Sequence, residues 1–241
     1  MRLIITKACL LFVCFSSAQN YSVVYKLKQV SKVSRYYETN IKTYLTGNGE
    51  VSVYMEDYMK AIGNNTENSM VLVVPTDENP IYYKEFNKKK VTYIDDIKFT
   101  NFNVIDSVGD FDWIITNETK KILQYNCQKA TLRFRGRNFE VFFTKDLPFS
   151  DGPIKFYGLP GLILEVFTDN NIASYHFVAE SIKFTNNKSP IKNVFEKKEV
   201  ISYADFVKIY RQKYQESLTK IVTANGETRP MTKGYMENYI D

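Results

Sequence analysis

Side chains that carry protons, attack substrates or hold metals are sparse in this chain. Its 241 residues include one histidine, His176, and three cysteines, of which only Cys127 lies beyond position 18. Histidine titrates near neutral pH and is the usual proton carrier. His176, however, sits in IASYHFVAE, where alternation puts Ala173, Tyr175, Phe177 and Ala179 on one strand face. His176 shares the other face with Ile172, Ser174 and Val178, the placement of a structural or surface histidine. A pair with Cys127 would join a base to a nucleophile, but nothing in the spacing supports one. Zinc wants three or four His and Cys ligands, and these two are too few. Asp106, Asp110 and Asp112 in DSVGDFD stand at the wrong offsets for a helix–loop–helix calcium site and read as a polar loop. The GxxG at 158–161 is no phosphate loop, because Pro160 removes a backbone donor and no helix follows. GxSxG, P-loop and dinucleotide motifs are absent from the sequence. The chain therefore reads as non-enzymatic, with no catalytic, cofactor or metal residues. A hydrolase built on two carboxylates is the alternative, since sequence does not set the separation of an Asp and a Glu.

The elements that would position any such group are mostly strands. Eighteen tyrosines and 17 phenylalanines against 10 glycines favour β-structure. Alternating runs occur at Tyr21–Leu27, 81–86 (IYYKEF), 91–94, 113–116, 130–136, 138–144, 163–168 and 172–184, with a continuous apolar run, MVLVV, at 70–74. Gly47-Asn48-Gly49 joins two further runs in NIKTYLTGNGEVSVYMED, and Asn-Gly accepts the positive φ of a tight hairpin. Asp169-Asn170-Asn171 reads as another turn. Tyrosines on strands such as IYYKEF can stack on sugars, although core packing is their commoner role. From Ser202, SYADFVKIYRQKYQESLTK carries a capping signature with Asp205, and Phe206, Tyr210, Tyr214 and Leu218 fall four apart. The fold class is mainly β: an antiparallel curved sheet, or a partly open barrel or sandwich, with one C-terminal helix at about 203–220. One domain is expected over 19–223, followed by a loose tail over 224–241.

The leader MRLIITKACLLFVCFSSAQN has a basic start, a short apolar stretch and a small-residue exit, the layout of a signal peptide over 1–18 cleaved after Ala18. Phe12 and Val13 stand where a lipid-modified Cys14 would need small residues. Taking Arg2 and Lys7 from the 32 basic residues leaves 30 against 27 acidic, a net charge of +3, which gives no argument for nucleic acid. No later segment is apolar and long enough to cross a membrane as a helix. Cys127, alone in the exported chain, is expected to be buried and unreactive.

One stretch, YGLPGLILEV at 157–166, bends an apolar run. Leu159-Pro160-Gly161-Leu162 has the composition of a type II turn, with Pro160 setting the first central angle and Gly161 supplying positive φ. Gly158 would let the backbone pass close to a neighbour, and Leu162–Phe167 would run as a strand covered on both faces. The alternative is an exposed apolar tip that docks a partner.

This stretch, with WIITNETKKILQYNCQKA, RGRNFEVFFTKDLP and DGPIKF before it, resembles the GLPGLI family of exported proteins, found mainly in Bacteroidetes and of uncharacterised role. The match is carried by Gly158, Leu159, Pro160, Gly161, Leu162 and Ile163, and by Trp113, Cys127, Ala130, Arg137, Thr144, Pro148, Gly152 and Pro153. Phe142 stands where members often carry tryptophan. The resemblance implies a periplasmic or envelope protein, with an apolar ligand or a TonB-dependent outer-membrane receptor as partner. It also implies a lipoprotein-carrier-like curved sheet.

Overall fold

The computed structural model describes residues 20–32, 37–64, 78–186, 189–219 and 230–240; the leader and the MVLVV run lie outside them. The strands are β1 Asn20–Ser31, β2 Tyr37–Gly47, β3 Val51–Asn64, β4 Ile81–Glu85, β5 Lys90–Ile97 and β6 Thr100–Asp106. They continue as β7 Ile114–Ile122, β8 Tyr125–Phe134, β9 Arg137–Thr144, β10 Leu162–Asp169, β11 Ala173–Thr185 and β12 Ile201–Ser202, followed by helix α1 Tyr203–Thr219.

Two asparagine turns work alike. The Asn48 Oδ1 accepts the N–H groups of Glu50 and Val51, each at 3.0 Å, and only Gly49 takes positive φ. The Asn170 Oδ1 accepts those of Ile172 and Ala173 at 2.8 and 3.1 Å. In each case a side chain satisfies the strand-starting donors, so asparagine acts here through its acceptor rather than through its tolerance of positive φ. Strand β6, TNFNVID, is too briefly alternating to be recognised in sequence; pairing with β5 along its full length defines it.

The sheet order is β12-β6-β5-β4-β3-β2-β1-β11-β10-β9-β8-β7. All pairs are antiparallel except the parallel bridge of β12 to β6. This order forces curvature. Strands β6 and β7 follow one another in the chain yet stand ten spacings apart, about 48 Å in a flat sheet. Residues 107–113 between them reach about 28 Å at full extension, so the sheet curls until its two ends approach. The expected mainly β, open curved sheet with one C-terminal helix is what the structure shows.

The concave side is occupied by the chain itself. Between β9 and β10 the segment 145–161 runs through it, with every residue from Asp151 to Tyr157 buried. Phe156 packs edge-on against Phe111, Trp113 and Phe139. The convex side of β3–β5 has a smaller cluster, Tyr83, Ile94 and Phe195, covered by the 189–200 segment.

Helix α1 starts as expected, the Ser202 Oγ accepting the Asp205 N–H at 3.1 Å and donating to the Asp205 carboxylate at 2.6 Å. Its buried stripe differs from the expected one: Phe206, Tyr210 and Ser217 are inside, whereas Leu218 is 48% exposed. Steps of four advance about 40° past a full turn each time, so Leu218 lies about 120° from Phe206, while Ser217 lies about 20° away. Within the 224–241 stretch, residues 230–240 pack against the domain. Met231 donates its N–H to the Ser217 Oγ at 3.0 Å, and Glu237 and Tyr239 are buried. No sequence period announces this segment, because it docks through isolated side chains rather than as a helix or strand.

Candidate functional site

A cleft of about 370 Å³ opens where β4, β5, α1 and the 230–239 segment meet. Alternation places its floor: Tyr82 faces the concave side while Tyr83 faces the convex cluster, and Tyr93 and Asp95 follow two apart on β5. Tyr82 and Tyr93 stack with centroids 5.3 Å apart and planes within 6°. Tyr210 from α1 and Tyr239 from the closing segment form the opposite wall, their rings 4.7 Å apart.

Beneath this wall lie four charges of balanced sign. The Arg135 guanidinium donates to both oxygens of Asp106 at 2.8 Å and to Glu237 at 2.7 Å. The Lys155 ammonium, from the buried segment, donates to Asp106 at 3.1 Å and to Glu237. Lys155 lies 3.8 Å from the Tyr93 ring centroid and Arg135 3.5 Å from that of Tyr203. Burial would raise Asp106, but hydrogen bonding from Arg135 and the charge of Lys155 outweigh it and hold the carboxyl below its ordinary value. Asp106 is therefore an anchor of the interior and not a member of a polar loop; its partners Arg135 and Lys155 lie 29 and 49 residues away, beyond any local reading.

Asp95 stands outside this quartet. Burial pushes its carboxyl up to about 6 although the Tyr239 hydroxyl donates to it at 2.7 Å. Glu56, under Tyr54, is pushed up to about 7 by burial against the hydrogen bonds of Tyr58 and Tyr54. A further ion pair, Lys84 with Asp151, is fully buried; the Tyr21 hydroxyl donates to Asp151 at 2.6 Å, and Lys84 also donates to the Gly152 carbonyl.

The residues singled out in sequence are distributed differently. His176 is on the surface with its Nε2 2.8 Å from a Glu165 oxygen, and Lys120 pairs with the same carboxylate. Cys127 is buried, and burial pushes its thiol up to about 11, so it holds no thiolate at neutral pH. Ala130 is also buried, and Thr144 is buried with its Oγ1 accepting the Asp146 N–H at 3.2 Å. Arg137 supports the closing segment, its Nη2 donating to the Gly234 carbonyl at 2.6 Å. Trp113 Nε1 donates to the Tyr157 carbonyl at 2.8 Å, and the Pro153 carbonyl accepts the Phe156 N–H at 3.2 Å. A β-carbon on Gly152 would meet Ile163 at 2.8 Å. Pro148 is exposed. Among the described residues, no three or more His, Cys, Asp or Glu side chains gather to hold a metal.

The GLPGLI stretch contradicts the type II turn. Positive φ belongs to Gly158, at +93°, and not to Gly161. The Gly161 N–H donates to the Leu159 carbonyl at 2.8 Å, closing a γ-turn about Pro160. Gly161 is needed for space, since a β-carbon there would stand 2.0 Å from the Thr144 carbonyl oxygen. Leu159, Leu162 and Ile163 are buried, and Gly158 and Pro160 are exposed.

The cleft itself went unread in sequence. Its only signal was the tyrosine pair of IYYKEF, one member of which lines it.

A family model described as N-glycanase peptide, N-terminal domain, matches residues 33–220. No curated protein matches. Among solved structures, two of PNGF-II are similar at 20% and 18% identity with TM-scores of 0.49 and 0.48. Each match covers 80% of this chain and 34% of the other, so the chain spans about a third of those proteins. A LolA-superfamily protein from Nitrosomonas europaea matches at 8% identity and a TM-score of 0.32, over 76% of this chain and 92% of that one.

Proposed function

We propose a function on one premise: the chain belongs to the family described as N-glycanase peptide, N-terminal domain, whose model spans residues 33–220. It is an exported, non-catalytic module of the cell envelope that holds a glycan or glycan-bearing ligand. The observation that carries this reading is the cleft, lined by Tyr82, Tyr93, Tyr210 and Tyr239 and edged by Asp95, Asp96 and Lys98. An aromatic-lined cleft with carboxylates and an ammonium at its edge suits a carbohydrate, whose C–H groups pack on rings and whose hydroxyls bond to charged side chains. The GLPGLI resemblance of the sequence and its leader support residence in the envelope.

A second reading, hydrolysis by two carboxylates, has Asp95 in its favour, raised to about 6 in the same cleft as Glu237. Glu237 weighs against it. That carboxylate is bound by both Arg135 and Lys155, so its oxygens are taken up by fixed donors and not turned toward a substrate.

Calorimetric titration of the protein with an asparagine-linked high-mannose glycopeptide tests the proposal, with the deglycosylated peptide and a palmitoylated peptide alongside. Binding of the glycosylated form alone is expected. Binding of the palmitoylated peptide only would replace the glycan with an apolar ligand, and release of free glycan abolished by Asp95→Asn would establish the hydrolase.

A further inference from the structure

The mouth of the cleft carries a side chain that local backbone preference disfavours. Strands β5 and β6 pair up to Ile97 and Thr100, which leaves Lys98 and Phe99 as a two-residue turn. Both take positive φ, 51° and 67°. A turn of that kind is the natural place for Asn-Gly, and the corresponding two-residue turn of β8 and β9, Arg135-Gly136, has glycine at its second position. A phenylalanine with positive φ is unusual, and this one gains no burial in return, being 94% exposed. Nor does the turn leave it adrift: the Phe99 N–H donates to an Asp96 oxygen at 3.3 Å, and the Asp96 N–H donates to Asp95 at 2.9 Å. The hairpin tip is thus tied to the acidic wall of the cleft, which Phe99 lines together with Asp96, Lys98 and Tyr235.

We infer that Phe99 is the stacking platform for a sugar ring at the mouth of the cleft, flanked by Asp96 and Lys98 as hydroxyl partners. This rests on the glycan reading above and adds the residue that determines affinity. The interior groups are committed to one another, Glu237 to Arg135 and Lys155, and Asp95 to Tyr239. The rim is where a ligand meets groups not needed to hold the fold. Strained backbone kept at the edge of a cleft points to use of the side chain it presents.

Four variants test this by titration with the high-mannose glycopeptide and by thermal melting: Phe99→Ala, Phe99→Leu, Phe99→Trp and the double variant Lys98→Asn/Phe99→Gly. Alanine and leucine are expected to weaken binding at least tenfold at unchanged melting temperature, while tryptophan stays within threefold of the parent. The double variant should melt higher, because its turn is relaxed, yet bind at least tenfold more weakly. If the parent binds the glycopeptide and Phe99→Ala binds it equally, the platform is refuted and the glycan reading stands. If the parent does not bind it, both fall.

Discussion

Replacing each glycine of the GLPGLI stretch by alanine separates space from conformation. At Gly161 the added methyl would lie 2.0 Å from the Thr144 oxygen and 2.7 Å from its carbonyl carbon, where ordinary contact begins at 3.4 Å. Relief needs more than 1 Å of movement between β9 and β10, whose pairing begins at Leu162 and Thr144. The same shift disturbs the Leu162 N–H bond to Leu147 at 3.0 Å and the Ile163 N–H bond to Asp151 at 2.9 Å. Two or three buried backbone bonds at about 1–1.5 kcal/mol each give a loss of about 2–4.5 kcal/mol. At Gly158 the nearest atom to the added carbon is Trp113 Nε1 at 3.6 Å, so only the φ of +93° matters. That strain is worth about 1–2 kcal/mol. Urea unfolding at matched m-values should therefore rank the parent above Gly158→Ala, and Gly158→Ala above Gly161→Ala. A Gly161→Ala protein as stable as the parent, or more stable than Gly158→Ala, would refute the steric argument.

Three other outcomes follow from buried groups. Cys127 should resist a thiol reagent such as Ellman's in the native state and react at once in urea, because it is buried with its thiol raised to about 11; rapid native labelling would contradict this. Glu56 has a folded pKa of about 7, above its ordinary 4.5, so it contributes stability below about pH 4.5 that is lost as pH rises through about 7. Glu56→Gln should flatten that decline and gain on the order of 2 kcal/mol at pH 8, measured by urea unfolding at pH 5 and 8; an unchanged slope would overturn the assignment. Lys84→Met should cost about 3–5 kcal/mol by leaving the Asp151 carboxylate buried without its cation, and adding Asp151→Asn should recover part of that loss. A double variant less stable than the single would show that the charge is not the cause.

Interactions between chain neighbours were readable in advance, and those between distant residues were not. Alternation located β1, the β2–β3 hairpin, β4, β5 and β8 to β11, because a side chain's face is settled within two residues of backbone. The Ser202 cap was legible for the same reason, its partner being three residues away. The helix stripe was read correctly at Phe206 and Tyr210 and drifted by Leu218, where a four-residue step departs from the true helical period. The strand pattern read His176 as a structural or surface histidine; its exposure, and Glu165 beside it, needed the pairing of β10 with β11.

The two glycines mark the boundary most clearly. Sequence assigned a bend with one glycine for angle and one for clearance, and the structure exchanged their roles, because clearance at Gly161 depends on where β9 ends. Sequence by itself determined most of the strands, the two asparagine turns, the helix start and the buried state of Cys127, all consequences of local backbone chemistry and polarity. Tertiary structure alone decided that 145–161 fills the concave face and that 230–240 closes over it. It also decided that Asp106, Arg135, Lys155 and Glu237 meet beneath a tyrosine-lined cleft. Those contacts join residues up to 102 positions apart, and a charge finds such a partner only once the curled sheet has brought both out of water.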